Sequence, residues 1–316
     1  MPERRDFKPR EGDGRTYYGQ PQLKPAPFNN ALVGSYVFMA GLSGAAQLLA
    51  TIADLTRGRS AEPTVRRGRF LSLLAPLFGT ACLIADLHTP KRFYNMLRVF
   101  KLTSPMSLGS WGLVGFGIAS SITAVLHYGA ERLRWLGWLR GVARVTQIPA
   151  ALTGAGLATY TASLFSATST PLWAAAPKSL AVRYGATSVA SAASLLGLGA
   201  GRARIGRDMD AVAVAALAAE LAAALAGEEQ YRRAGISVER DDPTTVLGTV
   251  LPLGMLLASL LFTRSRSRPL TTIASLATLA GSLAMRIQVM HRGDESARRP
   301  EISMRFAQPT SLHREG

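Results

Sequence analysis

Cysteine is almost absent. Cys82 stands alone in 316 residues, which excludes a disulfide within the chain. It also excludes an iron–sulfur cluster held by the chain's own thiolates, since such clusters ordinarily take four. Cys82 lies in an apolar run, where a thiol packs as a small hydrophobe. Histidine is scarce as well: His88, His127, His291 and His313. No His, Cys or carboxylate cluster has metal-ligand spacing along the sequence. Nucleophile elbows, P-loops and dinucleotide fingerprints are missing too, so the chain does not read as self-sufficient for covalent catalysis. No cleavable signal peptide is expected, because the first 27 residues are polar, charged and proline-rich. Charge is sparse and one-sided: 20 acids face 36 Lys and Arg, and all charged residues together make up 18%.

What is present is apolar. Hydrophobic residues make up 48% and the mean hydropathy is positive. They come in blocks of about 16–21, and a bilayer-crossing helix needs roughly 20. The composition predicts an all-α integral membrane protein with eight transmembrane helices, arranged as two four-helix bundles. The blocks are 33–53, 70–87, 108–126, 146–165, 180–198, 211–226, 246–262 and 270–285, the last continuing toward residue 290. The sixth is the shortest and is Ala-rich; a peripheral helix is its alternative. The first is lined by small residues, from Gly34 to Ala46, which let helices approach closely in lipid. Residues 1–32 form an N-terminal strap, 33–290 the membrane domain and 291–316 a C-terminal tail. Pro21, Pro25 and Pro27 exclude a regular helix in the strap and favour an extended run over a partner or the membrane face.

A formal charge of +16 would suggest nucleic acid in a soluble protein. Here the Arg residues concentrate in short connectors at 56–69, 127–145, 199–209 and 263–269. Dense Lys and Arg in short loops mark the cytoplasmic face, so no nucleic-acid partner is expected. With eight spans, both termini and the 88–107 connector fall on the opposite, external side of a bacterial inner membrane. In that topology His88 and His127 lie at opposite faces. His88 and His291 share a face but stand at span ends, and His313 lies in the tail, so no haem is expected.

Ionisable residues inside spans are costly and therefore candidate functional groups. Asp54 and Asp210 lie near the Arg-rich ends of the first and sixth spans. Arg183 lies about one turn into the fifth, Glu220 near the middle of the sixth, and Arg286 in the eighth. Snorkelling to the surface is a simpler role for the two arginines; proton transfer is the alternative for Asp54, Arg183, Glu220 and Arg286. At the external boundary Asp86, His88, Tyr94, Ser104, Ser107, Ser110, Trp111 and Tyr160 gather beside apolar helices. An acid and hydroxyls in that setting suit a quinone head group, with Asp86 exchanging the proton.

The most specific stretch is Asp86-Leu-His-Thr-Pro-Lys-Arg-Phe93 followed by Leu97-Arg-Val-Phe-Lys-Leu-Thr-Ser-Pro-Met-Ser-Leu-Gly-Ser-Trp111. Together with Tyr17-Tyr-Gly-Gln-Pro21, Gly41-Leu-Ser-Gly44 and Tyr160-Thr-Ala-Ser-Leu-Phe-Ser-Ala-Thr-Ser-Thr-Pro-Leu-Trp173, it resembles the NrfD/polysulfide-reductase membrane-subunit family. The resemblance covers residues 16–175 and rests on span pattern beyond. It implies an eight-helix subunit that binds menaquinone or ubiquinone and holds no redox metal. It also implies a docked ferredoxin-like iron–sulfur subunit and a molybdopterin-type catalytic subunit on the external face. The family's second-span acid falls on Asp86 and its fourth-span tyrosine on Tyr160. The polar group at the start of the first span falls on Asn29 or Asn30, with Tyr36 inside; His88 replaces a frequent Gly. Tyr17, Tyr18, Lys91, Arg92, Arg98 and Trp111 are the expected docking residues. The rival expectations are a secondary transporter, which calls for paired broken helices, and a purely structural anchor.

Overall fold

The computed structural model describes residues 23–87, 89–175, 177–200, 204–234, 236, 243–263, 268–300 and 302–303. Among them all regular structure is helical. The helices are α1 (Asn30–Arg57), α2 (Glu62–Asp86), α3 (Pro105–Arg132), α4 (Leu139–Ser166), the short α5 (Pro171–Ala175), α6 (Pro177–Ala200), α7 (Arg204–Arg233), α8 (Pro243–Thr263) and α9 (Arg268–Arg298). Asn30–Asp86, Pro105–Arg132, Arg204–Arg233 and Pro269–Arg298 are long and apolar enough to cross a membrane, and Val250–Leu261 is a shorter apolar stretch. The first of these stretches contains both α1 and α2. In α4 and α6 apolar residues are interleaved with Gly, Ser, Thr and Arg, which dilutes the same signal.

The helices extend past the apolar blocks at both ends, except that α2 stops at Asp86, one residue short of the end of its block. α2 begins at Glu62, eight residues before its block, and so carries Arg66, Arg67 and Arg69 on helical turns. α7 takes the short sixth block into 30 residues packed along α6, with Glu220 fully buried. α9 runs unbroken from 268 to 298, straight through residue 291 where the tail was expected to begin.

Packing follows two sets. α1 lies against α2 and α4, and α3 against α4; α6 lies against α7, and α8 against α7 and α9. α1 joins the sets, because it also contacts α6 and α9. Its small residues make this possible. A Cβ on Gly44 would stand 2.1 Å from the backbone oxygen of Gly154 on α4, so the two backbones touch. On another side of α1, a Cβ on Gly41 would overlap the Ser188 hydroxyl of α6 at 2.3 Å.

Polarity is distributed inside out. Leu77, Phe78, Val125, Val145, Leu152 and Leu276 point outward. Ser43, Gln47, Ser72, Gln147, Ser191 and Arg286 are buried. So many exposed large apolar side chains suit lipid better than water.

Candidate functional site

A cleft of about 640 Å³ opens between α1, α2, α3 and α4 beneath the connector at residues 89–104. That volume lies within the range of small-molecule sites, about 300–1,000 Å³. Its walls are mainly apolar, with Leu77, Leu83, Leu113 and Val114 on α2 and α3. These two helices touch each other far less than α1 touches α2 or α3 touches α4. Gly117 lies in the wall with open space where a side chain would stand. Its ionisable and phenolic groups are Asp86, Tyr36 and Tyr160, and hydroxyls of Ser and Thr, Ser110 and Ser120 among them, interrupt the apolar wall.

The chain positions each of them by local chemistry. Asp86 is the last residue of α2, and its Oδ1 accepts the backbone N–H of Asn29 at 2.8 Å. Asn29 in turn caps α1, its Oδ1 accepting from the N–H groups of Ala31 and Leu32. The start of α1 and the end of α2 are thereby fixed to each other. Tyr160 donates to the carbonyl oxygen of Pro105, the first residue of α3. Gly109 is required there, because a Cβ would stand 2.3 Å from the Tyr160 ring. Ser104 caps α3 by accepting from the Ser107 N–H. The Ser107 hydroxyl accepts from the Lys101 N–H and donates to the Val99 carbonyl, pinning the connector over the cleft.

The sequence-predicted residues divide into several groups. Asp86, Tyr36 and Tyr160 come together in the cleft. Asn30 turns the other way: its Nδ2 donates to Asp294 Oδ2 at 2.9 Å and lies 3.2 Å from His291 Nδ1, on α9. Tyr17, Tyr18 and His88 lie outside the described residues. Lys91, Arg92 and Arg98 are exposed on the connector, beside Phe93, Tyr94, Val99 and Phe100. Trp111 is partly exposed and meets Phe100 edge to face at 5.9 Å.

Of the span ionisables, Asp54 sits at the Arg-rich end, far along α1 from Asp86's contact with Asn29. Its Oδ2 accepts from Gln147 Nε2 at 3.0 Å and lies 3.6 Å from Arg69 Nη2. Arg69 also donates to Gln147 Oε1 at 2.8 Å. Asp210 is half-buried near the start of α7, facing Gly197 of α6. Arg183 and Glu220 pair at 3.5 Å between α6 and α7. Arg286 is buried, not snorkelled. It donates to Ser188 Oγ at 2.7 Å and to the carbonyls of Tyr184 and Ser282, with its guanidinium over the Tyr184 and Phe38 rings. Outside the spans, burial pushes the Glu62 carboxyl above its usual range; Glu131 adds to that, and Arg140 opposes it.

Arg69, Gln147, His291, Asp294 and the Arg292–Glu228 ion pair at 3.0 Å were not among the predicted groups. Arg69 and Gln147 carried a usable signal, as polar residues at the edges of long apolar runs.

A family model described as polysulphide reductase, NrfD, matches residues 21–295. The chain belongs to the NrfD family. NrfD proteins are membrane subunits of polysulphide- and quinone-linked oxidoreductases, and the membrane-anchor role follows for this chain. Comparison with curated proteins returns no match. The match begins before α1 and ends near the close of α9, so it takes in the cleft and the connector over it as well as both helix sets.

Proposed function

We propose that this NrfD chain binds a quinone or quinol in the cleft beneath the connector at residues 89–104 and exchanges electrons there with an iron–sulfur subunit docked above it. The observation that supports the reading is an apolar cleft whose lining includes one acid, Asp86, and two phenols, Tyr36 and Tyr160. A quinone supplies two-electron, two-proton redox chemistry when bound. Asp86 holds or releases the proton at its carboxylate, the Tyr36 hydroxyl donates to a ring carbonyl, and Tyr160, whose own hydroxyl donates to the Pro105 carbonyl, shapes the wall beside the ring. The sparse contact between α2 and α3 leaves a lateral path for an isoprenoid tail.

In this reading all eight long helices span a bacterial inner membrane, with the connector on the external side and the Arg-rich loops inside. The exposed Lys91, Arg92, Arg98 and Trp111 form the docking face for a ferredoxin-like subunit, which carries the clusters this chain lacks thiolates to hold. A molybdopterin-type subunit completes the complex. Asp54, Arg183, Glu220 and Arg286 serve proton movement between the faces.

The Asp86–Asn29 hydrogen bond favours a second reading, in which Asp86 only ties α2 to α1. Asp86→Asn separates the two, because the amide keeps an acceptor for the Asn29 N–H and loses the exchangeable carboxyl proton. Lipid extraction of the purified complex gives the first check, with about one quinone per chain expected. Intact assembly with lost quinone-coupled turnover in the variant supports the proton role. Normal turnover in the variant leaves Asp86 with the structural role alone.

A further inference from the structure

At the Arg-rich end, the start of α2 meets the last turns of α3. Glu62 is the first residue of α2, and His127 and Glu131 stand one turn apart on α3. His127 Nε2 lies 2.9 Å from Glu62 Oε1 and 3.5 Å from Glu131 Oε1. All three ligand atoms lie within 4.8 Å of one another. His127 is 2% exposed. Its Nε2 and the Glu62 Oε1 are both buried, and neither makes a hydrogen bond.

Lone pairs that face each other at this distance repel, and either a shared proton or a metal cation between them relieves the repulsion. Zinc takes nitrogen and carboxylate oxygen at about 2.0–2.2 Å, which sets tetrahedral ligands roughly 3.4 Å apart. The two measured separations bracket that value. An i, i+4 His–Glu pair on one helix with a carboxylate from a second helix supplies three ligands and leaves a fourth position open. A cleft of about 830 Å³ adjoins the cluster, lined by Glu62, Glu131, Arg66, Arg67 and Tyr128 among others, and gives solvent access.

We infer that Glu62, His127 and Glu131 form a site for a divalent transition cation of the zinc type, joining α2 to α3. The neighbouring cations leave room for it. Arg69 is engaged by Gln147 and Asp54, and Arg66 lies over the Tyr128 ring. Arg140, 3.8 Å from Glu62 Oε1, is one-third exposed and can turn to solvent. The two carboxylates balance the charge of the ion. The site lies at the end of α2 opposite Asp86, so its occupancy is separable from quinone binding.

Zinc sulfate added to the metal-stripped, detergent-purified full chain tests this directly. Metal analysis after dialysis is expected to find one retained zinc ion per chain, and cobalt substitution to give the visible bands of a four-coordinate site. His127→Gln and Glu131→Gln are expected to weaken retention at least about tenfold. Zinc, but not magnesium, is expected to raise the Tm of the unaltered chain, because it binds the folded state; this readout needs no variant to fold. Absence of retained zinc overturns the inference, since the three groups then share only a proton. Retention that persists in both variants, or an equal Tm rise with magnesium, overturns it as well.

Discussion

Asp86 has two neighbours that ask different things of it. The Asn29 N–H needs an acceptor, and the proposed quinone site needs an exchangeable proton. Asp86→Asn supplies the first and removes the second. We expect quinone-coupled turnover to fall about a hundredfold, the low end for loss of a general acid or base, with the Tm of the purified complex little changed. Glu220 presents the opposite case, a fully buried carboxylate facing Arg183 at 3.5 Å. Glu220→Ala removes one partner of a buried pair and leaves charge without its counterion. The expected cost is about 3–5 kcal/mol, read as loss of folded protein in detergent or a lowered Tm. If Glu220→Ala keeps normal stability but loses turnover, the pair acts in proton movement and not in structure.

Helix placement is largely legible from apolar block length, and two polar residues of the cleft's lining, Asp86 and Tyr160, are legible as polar interruptions near block ends. Asp86 and Tyr160 stand out because acids and tyrosines at such ends are few. Their actual partners are not legible. Asn29 pairs with a residue 57 positions away, and Asn30 with residues more than 260 positions away. Contacts of that range depend on how whole helices pack, which block periodicity does not encode. Helix ends escape the sequence for a related reason. Arg66, Arg67 and Arg69 read as a loop because they are charged, yet Arg69 is buried through Gln147 and Asp54.

For the helices themselves, the tight contacts and the open ones make opposite predictions. Gly44 and Gly154 bring α1 and α4 into backbone contact, so Gly44→Val must push the helices apart. We expect loss of the monodisperse peak in size-exclusion chromatography. A Cβ added to Gly112 on α3 would meet no atom within 4 Å; Gly112→Val should leave the peak unchanged and serves as the control. Gly117→Leu places a side chain in the cleft wall without touching packed backbone. Its expected outcome is a folded chain with reduced quinone content in lipid extracts, which separates filling the cleft from altering Asp86.

For the whole molecule, the distribution of Arg predicts sidedness. Single cysteines replacing Arg59 and Lys91, in a Cys82→Ser background, should label from opposite sides of the membrane. In intact spheroplasts an impermeant maleimide is expected to reach position 91 and not position 59. Labelling of both sites from outside would contradict the eight-span arrangement. On the proposed docking face, reversing charge at Lys91, Arg92 and Arg98 together should reduce co-purification of an iron–sulfur subunit while leaving the quinone content of lipid extracts unchanged. These side chains are exposed and lie outside the tight helix contacts.

Among the described helices α1 comes before the others in chain order, and α9 comes after them. Yet α1 packs against both helix sets, and Asn30 at its start finds Asp294 and His291 near the close of α9. During synthesis α1 therefore waits, with part of its small-residue surface unpartnered, until α9 has been inserted. A prematurely terminated product would present that surface to the membrane, where quality-control proteases that recognise unpaired helices would find it.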